Sequence, residues 1–161
     1  PVPTITVQPE DPMTENDILA DQQTWGSGVV AIGAAADWQT ARDQAAAFVE
    51  RMYVTDGSLL FKPTKASEQQ FRPTVESAVS YFVGQNPSFP EDKGFALEPW
   101  MSVRFENTGI QIHDGLALAM GNYYFQTRDG DEVKVECTFG YTRIDGEIRI
   151  VLHHSALPYS G

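Results

Sequence analysis

The sequence predicts an α+β fold, in which helices from the first half of the chain pack on an antiparallel sheet formed by the second half. Two observations lead to this prediction. Up to Met52 the apolar residues recur at helical spacing, whereas beyond Met101 they alternate with polar residues at period two. Turn sequences at 107–109, 129–130 and 145–146 separate the alternating stretches, which is typical of a meander of hairpins.

Three helices are predicted, and the first two have recognisable starts. Thr14 can cap the first, which acidic residues follow, and Asp37 can cap the second, which ends near 55–57. The third is predicted over 66–84, with a break at Pro73. Glycines in the first helix weaken it by up to ~1 kcal/mol each relative to alanine, so we expect it to be buried against a neighbour. The helical stripes are Ile18, Gln22, Trp25, Val29, Ile32 and Ala36, then Ala41, Ala45, Phe48 and Met52.

A short apolar strand or loop is predicted over 57–64, where Pro63 closes it, and the long strands follow after 100. A strongly curved sheet wrapped around a helix encloses a cone-shaped cavity, and such a cavity is the default ligand site. The predicted pairs are 101–106 with 110–113 and 116–126 with 133–142, and 148–155 closes the meander.

Length and charge restrict the class of protein. A chain of 161 residues is long enough for one domain, predicted at 14–161, with a proline-rich extended arm at 1–13. A net charge of −11 argues against a nucleic acid or an anionic membrane surface as partner, because no basic surface is available to them. No apolar run approaches the ~20 residues that span a bilayer, and we recognise no signal peptide.

A conventional zinc site is not expected. Cys137 is the only cysteine, and the histidines are His113, His153 and His154. Neighbouring residues of a strand face opposite sides, so His153 and His154 do not readily bind one metal ion. The prediction is therefore no metal site, with a weakly bound divalent metal left open.

The last predicted strand ends in a polar cluster, and such a cluster needs partners or a function. Period two puts His153 and Ser155 on one face, which we expect to be the cavity face. The alternative is that both histidines are structural residues at the end of a sheet.

Other polar residues interrupt apolar stretches in the same way. Pro63 makes a rigid turn that can present Thr64 to a cavity, although Thr64 can also cap a following helix. Tyr81 lies in an apolar segment and can be a core residue or a pocket donor. Asn122 and Tyr123 lie on opposite faces of one strand and are pocket candidates, although aromatic residues at this spacing are more often core.

Several motifs stand in one order that resembles a known family. The chain resembles the iota-class carbonic anhydrases from about 14 to 159. Their fold is similar to the association domain of calcium/calmodulin-dependent kinase II, within the cone-shaped nuclear-transport-factor-2-like (NTF2-like) superfamily. The motifs are 60–66 (LFKPTKA), 70–72 (QFR), 80–84 (SYFVG), 92–96 (DKGFA), 119–123 (AMGNY) and 152–155 (LHHS).

The resemblance implies reversible hydration of CO2 to bicarbonate, in the branch of the family that works without a metal. It also implies a homodimer that pairs through the sheet. Plastid proteins of algae carry such domains in tandem, so a plastid location and one repeat of a longer protein are expected, with a bacterial periplasm or cytoplasm as the alternative. One departure is Ala156, where the family usually has a second serine after His-His-Ser.

The resemblance also implies roles for residues. The hydroxyls of Thr64, Tyr81 and Ser155 are expected to bind bicarbonate as preorganised donors. His153 is expected to relay the proton, because an imidazole titrates near neutral pH. Phe61 and Phe82 are expected to hold CO2, and the remaining predicted substrate-binding residues are Lys62, Asn122, Tyr123 and His154.

Two other functions remain open at this level. One is a non-catalytic association module that forms a ring or dimer through an apolar sheet face. The other is a small-molecule isomerase or binding protein, which would need a carboxylate in the cavity. The sequence offers no isolated carboxylate within an apolar run.

Overall fold

The computed structural model describes residues 11–161, in which helices cover one face of a five-stranded sheet. The sheet order is β1-β5-β4-β3-β2, with β1 parallel to β5 and the other neighbours antiparallel. The predicted α+β class is confirmed, and the arm predicted at 1–13 lies mostly outside the described residues. The elements are α1 (Glu15–Gly33), α2 (Trp38–Met52), β1 (Leu60–Lys62), α3 (Val75–Val83), a 3-10 turn (Phe95–Leu97), β2 (Ser102–His113), β3 (Leu116–Gln126), β4 (Glu132–Ile144) and β5 (Glu147–Ala156).

The first two helices begin where the sequence predicts. Thr14 and Asp17 form a capping box at the start of α1, and Asp37 accepts a hydrogen bond from the Thr40 amide at the start of α2. The predicted burial of α1 is also confirmed, because a side chain at Gly26 would lie 3.1 Å from Val103 of β2.

Between residues 11 and 161, no helix combines the length and the apolar character that crossing a membrane requires.

The third helix is shorter than predicted. It starts at Val75 behind the cap residue Thr74, and residues 66–73 are not helical. The carboxylate of Glu91 accepts hydrogen bonds from three successive backbone amides, at 67–69, which a helix would have used otherwise. Pro73 then prevents a helix from running through this segment. The same three hydrogen bonds lower the pKa of Glu91 to about 2.

The predicted turn at 107–109 is wrong. Strand β2 runs without interruption from Ser102 to His113, and the register shifts at a bulge between Asn107 and Gly109. The Asn107 side chain is tied to Gln22 of α1 by two amide hydrogen bonds, of 2.9 and 2.8 Å. The chain reverses instead at Gly115, whose φ of 75° suits a glycine. The other two predicted turns, at 129–130 and 145–146, are confirmed.

An aromatic core fills the interior that the sheet encloses. The Trp25 ring of α1 is at the centre of this core and is 2% exposed. Because these rings occupy the middle of the cone, open space is left at its edge, where Tyr81 of α3 faces residues 91–100. The rings with centroids within 6.5 Å of Trp25 are those of Phe48, Phe82, Phe105, Tyr123, Phe125, Phe139 and His153.

Candidate active site

The short strand β1 brings two distant polar segments together. It pairs in parallel with β5, so that Phe61 lies opposite His153 and Lys62 opposite His154. Pro63 and Thr64 follow directly after this strand. As a result, the hydroxyl oxygens of Thr64 and Ser155 lie 2.6 Å apart, within hydrogen-bond distance.

A buried chain of hydrogen bonds leads inward from Ser155. Its hydroxyl oxygen lies 2.5 Å from the hydroxyl of Tyr123, which lies 3.0 Å from Nε2 of His153. On the other side of the ring, Nδ1 of His153 lies 2.9 Å from the hydroxyl of Tyr53. The indole N–H of Trp25 donates to that hydroxyl at 2.9 Å. Five side chains from α1, β3, β5 and the end of α2 therefore form one polar path through an aromatic core.

Sequence reasoning missed two members of this path. Trp25 reads as one residue of the apolar stripe of α1, and Tyr53 is simply the residue at which α2 ends. A buried phenol or indole usually has a hydrogen-bond partner, and that is the one signal the sequence carries. It does not say which partner, because 100 residues separate Tyr53 from His153.

His153 faces the interior, as predicted, but its environment differs from the expected one. Its ring is 2% exposed and stacks between Phe139, with centroids 4.1 Å apart, and Phe61, with centroids 4.7 Å apart. Burial lowers the pKa of His153 to about 3, with a smaller contribution from His154. The expectation that His153 titrates near neutral pH is therefore wrong.

Tyr81 of α3 connects the hydroxyl chain to open space. Its phenol oxygen accepts a hydrogen bond of 3.1 Å from the backbone N–H of Lys65, and its ring stacks on Phe95. Burial raises the pKa of Tyr81 above its ordinary value, and hydrogen bonds from Lys65 and Thr64 act against this shift. The phenol borders a pocket of about 530 Å³, also lined by Glu91, Asp92, Lys93, Gly94, Leu97, Glu98 and Trp100.

A buried carboxylate lies beside this pocket, and it is neutralised. Arg72 is fully buried, and its guanidinium donates to both oxygens of Asp92 at 2.7 and 2.8 Å. Ser80 donates to the same carboxylate at 2.6 Å. Because all of these donors hold Asp92, it is not the free general base that the isomerase hypothesis needs.

Some predicted residues lie elsewhere. Asn122 is on the outer face of the sheet, where its amide donates to Glu106 at 3.3 Å, and His154 is exposed on that face. Lys62 donates to the backbone carbonyl of Ser155 at 3.4 Å rather than to a group in the pocket. Ala156 follows Ser155 in β5 and therefore faces the opposite side of the sheet. The position where the family usually has its second serine thus lies outside the hydroxyl chain.

The remaining predicted residues lie in the buried interior. Phe61 and Phe82 are buried with ring centroids 6.2 Å apart, and Tyr123 belongs to the hydrogen-bond chain.

His113 lies at the end of β2, where it contacts Gln111. Within residues 11–161, no three His, Cys, Asp or Glu side chains are grouped so that they could hold a metal ion.

Comparison with known proteins gives a consistent result. A family model described as metal-independent carbonic anhydrase matches residues 16–157. A relative named metal-independent carbonic anhydrase, from Nostoc sp. (strain PCC 7120 / SAG 25.82 / UTEX 2576), is 40% identical over 156 residues, which cover 91% of this chain and 75% of the relative.

Solved structures agree with this match. The crystal structure of an iota-carbonic anhydrase from a cyanobacterium, complexed with bicarbonate, is 37% identical, with a TM-score of 0.91 over 98% of this chain and 100% of the other. An NTF2-like protein of unknown function from Shewanella oneidensis MR-1 is 15% identical, with a TM-score of 0.54 over 85% of this chain and 97% of the other. The second likeness shows the fold alone, and it confirms the predicted NTF2-like architecture.

Proposed function

Because the chain belongs to the metal-independent carbonic anhydrase family, and so hydrates CO2 reversibly to bicarbonate without a metal, we propose that its substrate binds at the hydroxyls of Thr64, Tyr81 and Ser155. The observation that supports this site is the contact of 2.6 Å between Thr64 and Ser155, next to the pocket that Tyr81 borders. The cyanobacterial structural relative is complexed with bicarbonate, which is the ligand of this proposal.

Hydroxyl donors suit the charge that hydration creates. As water adds to CO2, negative charge develops on the oxygens of CO2, and preorganised O–H groups stabilise it most strongly where water is scarce. The phenol oxygen of Tyr81 already accepts the Lys65 N–H, so its own proton is free to donate into the pocket. The oxygen of Ser155 accepts from Tyr123 in the same way. These donors do not need to reorganise when the charge forms.

Two aromatic rings next to Tyr81 support the other half of the reaction. The rings of Phe61 and Phe82 have centroids 6.2 and 5.7 Å from that of Tyr81, and CO2 carries no net charge or dipole that would need a polar partner. We expect CO2 to lie against these rings while an attacking water contacts the hydroxyls. His153 stays neutral between pH 5 and 9 under this proposal, since its pKa is about 3.

A homodimer is the second part of the proposal. The outer face of the sheet exposes an apolar strip, in which Leu60 is 65% exposed and Met120 is 56% exposed. Leu60 is paired with Leu152, which extends the strip across the sheet. Apolar patches of this kind commonly mark interfaces between copies. Sedimentation of wild type and of Met120→Glu tests it: a dimer that the substitution dissociates supports the proposal, and a wild-type monomer contradicts it.

Stopped-flow CO2 hydration tests the site. We expect the purified protein to be active after exhaustive chelation, with no stoichiometric metal in the same sample. Tyr81→Phe and Ser155→Ala should each lower kcat about 100-fold, since each removes a donor to developing charge. Tyr159→Phe and Ser102→Ala, which change exposed hydroxyls, are matched controls. Full activity of both site variants, with folding verified by circular dichroism, would overturn the assignment.

A further inference from the structure

We infer that Trp25 and Tyr53 are positioning residues, which hold His153 as the Nε2–H tautomer and so direct a one-way chain of hydrogen bonds at the pocket. The inference deepens the proposed function, and its catalytic consequence rests on that function. The tautomer itself follows from the donors and acceptors along the chain.

The direction is set at the inner end. An indole N–H can only donate, so the oxygen of Tyr53 accepts from Trp25. Within residues 11–161 the other hydrogen bond of the Tyr53 hydroxyl is to Nδ1 of His153. If Nδ1 carried the proton, the oxygen would accept twice and the proton of this buried phenol would have no acceptor, which is unfavourable. Tyr53 therefore donates to Nδ1.

The rest of the chain follows from that step. A neutral imidazole whose Nδ1 accepts carries its proton on Nε2, which then donates to the oxygen of Tyr123. The proton of Tyr123 is directed to Ser155. From Tyr53 to Ser155, each group accepts from its inner neighbour. The chain ends at the pair of hydroxyls of Ser155 and Thr64, in which either oxygen can be the donor.

This direction gives His153 a definite role. Its acceptor nitrogen faces Tyr53, away from the pocket, and its donor nitrogen faces the hydroxyls that lead to the pocket. His153 therefore takes no proton from a reacting water. Its contribution is to orient the hydroxyls of Tyr123 and Ser155 so that donors meet the developing charge. Stacking between Phe61 and Phe139 keeps the ring from turning over and exchanging its two nitrogens.

Nitrogen NMR of histidine side chains tests the tautomer without reference to activity. The sample is the protein with ¹⁵N-labelled histidine, carrying His113→Gln and His154→Gln so that the side-chain nitrogen signals come from His153 alone. We expect a protonated, pyrrole-type Nε2 and an unprotonated, pyridine-type Nδ1. A protonated Nδ1 or an imidazolium in this protein would overturn the inference.

The Tyr53→Phe substitution tests the positioning role, with Tyr141→Phe as the matched control. Tyr141 is equally buried and stacks on Phe139, as His153 does, but it does not belong to the chain. Tyr53→Phe should change the Nδ1 signal and lower kcat about tenfold, with little change in KM for CO2, whereas the control should keep both. An unchanged spectrum and kcat in folded Tyr53→Phe would contradict the inference.

The two proposals fail separately. If Tyr81→Phe and Ser155→Ala keep full activity, the proposed binding site is wrong, although the tautomer stands. If those variants lose activity while His153 proves to carry its proton on Nδ1, the binding site stands and the positioning role is wrong.

Discussion

Thr64 and Ser155 place their hydroxyl oxygens 2.6 Å apart although 91 residues separate them in the chain. The contact depends on β1, which has three residues and forms an edge of the sheet. A strand this short contributes little pairing of its own, so the aromatic packing of Phe61 against His153 and Phe82 holds it in register. The site is thus assembled where a small strand joins the end of a long one.

Substitution of Thr64 separates the hydroxyl from the shape of its side chain. Thr64→Val keeps the shape and removes the hydroxyl, so we expect kcat to fall about 100-fold. Thr64→Ser keeps the hydroxyl and should recover most of that activity. Stopped-flow CO2 hydration of the two variants makes the measurement, and equal activities would show that the hydroxyl of Thr64 takes no part.

Asp21 is expected to make stability depend on pH. Burial raises the pKa of its carboxyl to about 6, against the attraction of Arg51 and Arg149, and one of its oxygens has no hydrogen-bond partner within residues 11–161. The folded protein therefore binds a proton between pH 4 and 6 that the unfolded chain has released. The contribution of the neutral form to stability is full below about pH 4 and is lost as the pH rises through about 6.

The Asp21→Asn substitution removes this dependence. We expect it to raise the free energy of unfolding at pH 8 by about 2–3 kcal/mol, because a charged and desolvated group is removed. The gain should disappear below about pH 4. Urea denaturation at pH 4, 6 and 8 makes the comparison, and a gain that is constant with pH would contradict the raised pKa.

Arg72 and Arg104 form ion pairs that should differ in their effect on stability. Arg72 and Asp92 are fully buried, so Arg72→Met leaves a buried carboxylate without its partner and should cost about 3–5 kcal/mol. Arg104 pairs with Glu132 at the surface, where both side chains are well exposed, and Arg104→Met should change stability far less. Denaturant unfolding of both variants tests this, and equal losses would be inconsistent with the burial.

Gly121 and Gly109 make a matched pair at the bulge of β2. A side chain at Gly121 would collide with the backbone of Glu106 and Asn107, whereas nothing lies within 4 Å of one at Gly109. We expect Gly121→Ala to lower the unfolding free energy by about 1–3 kcal/mol. Gly109→Ala should leave it nearly unchanged. Thermal and denaturant unfolding give the comparison, and a Gly121→Ala variant as stable as wild type would show that the strands separate freely at the bulge.

Local pattern predicted some elements and misplaced others for physical reasons. Caps at Thr14 and Asp37 depend on a few neighbouring residues, and both were predicted correctly. The pattern of the segment 66–73 predicts a helix by itself. Its backbone amides instead donate hydrogen bonds to the carboxylate of Glu91, which lies in a distant loop. The sequence at 107–109 favours a turn, but α1 packs on β2 and holds Asn107 within the strand.

The same division holds for the site. Alternation placed His153 and Ser155 on one face, and the family resemblance selected Thr64 and Tyr81. Asn122 was assigned to the substrate by its polar character, but the sheet turns it outward to Glu106. Strand period two does not reveal which face is buried, and that depends on where the helices pack.

The sequence by itself determined the fold class, the starts of the first two helices and the resemblance to the family, because periodicity, capping and motifs can be read along the chain without its tertiary contacts. Only the tertiary structure decided the electrostatics of the site. The pKa of His153 depends on how deeply the aromatic core buries it, and its tautomer depends on Tyr53, 100 residues away. Burial and hydrogen-bond direction arise only when distant parts of the chain meet.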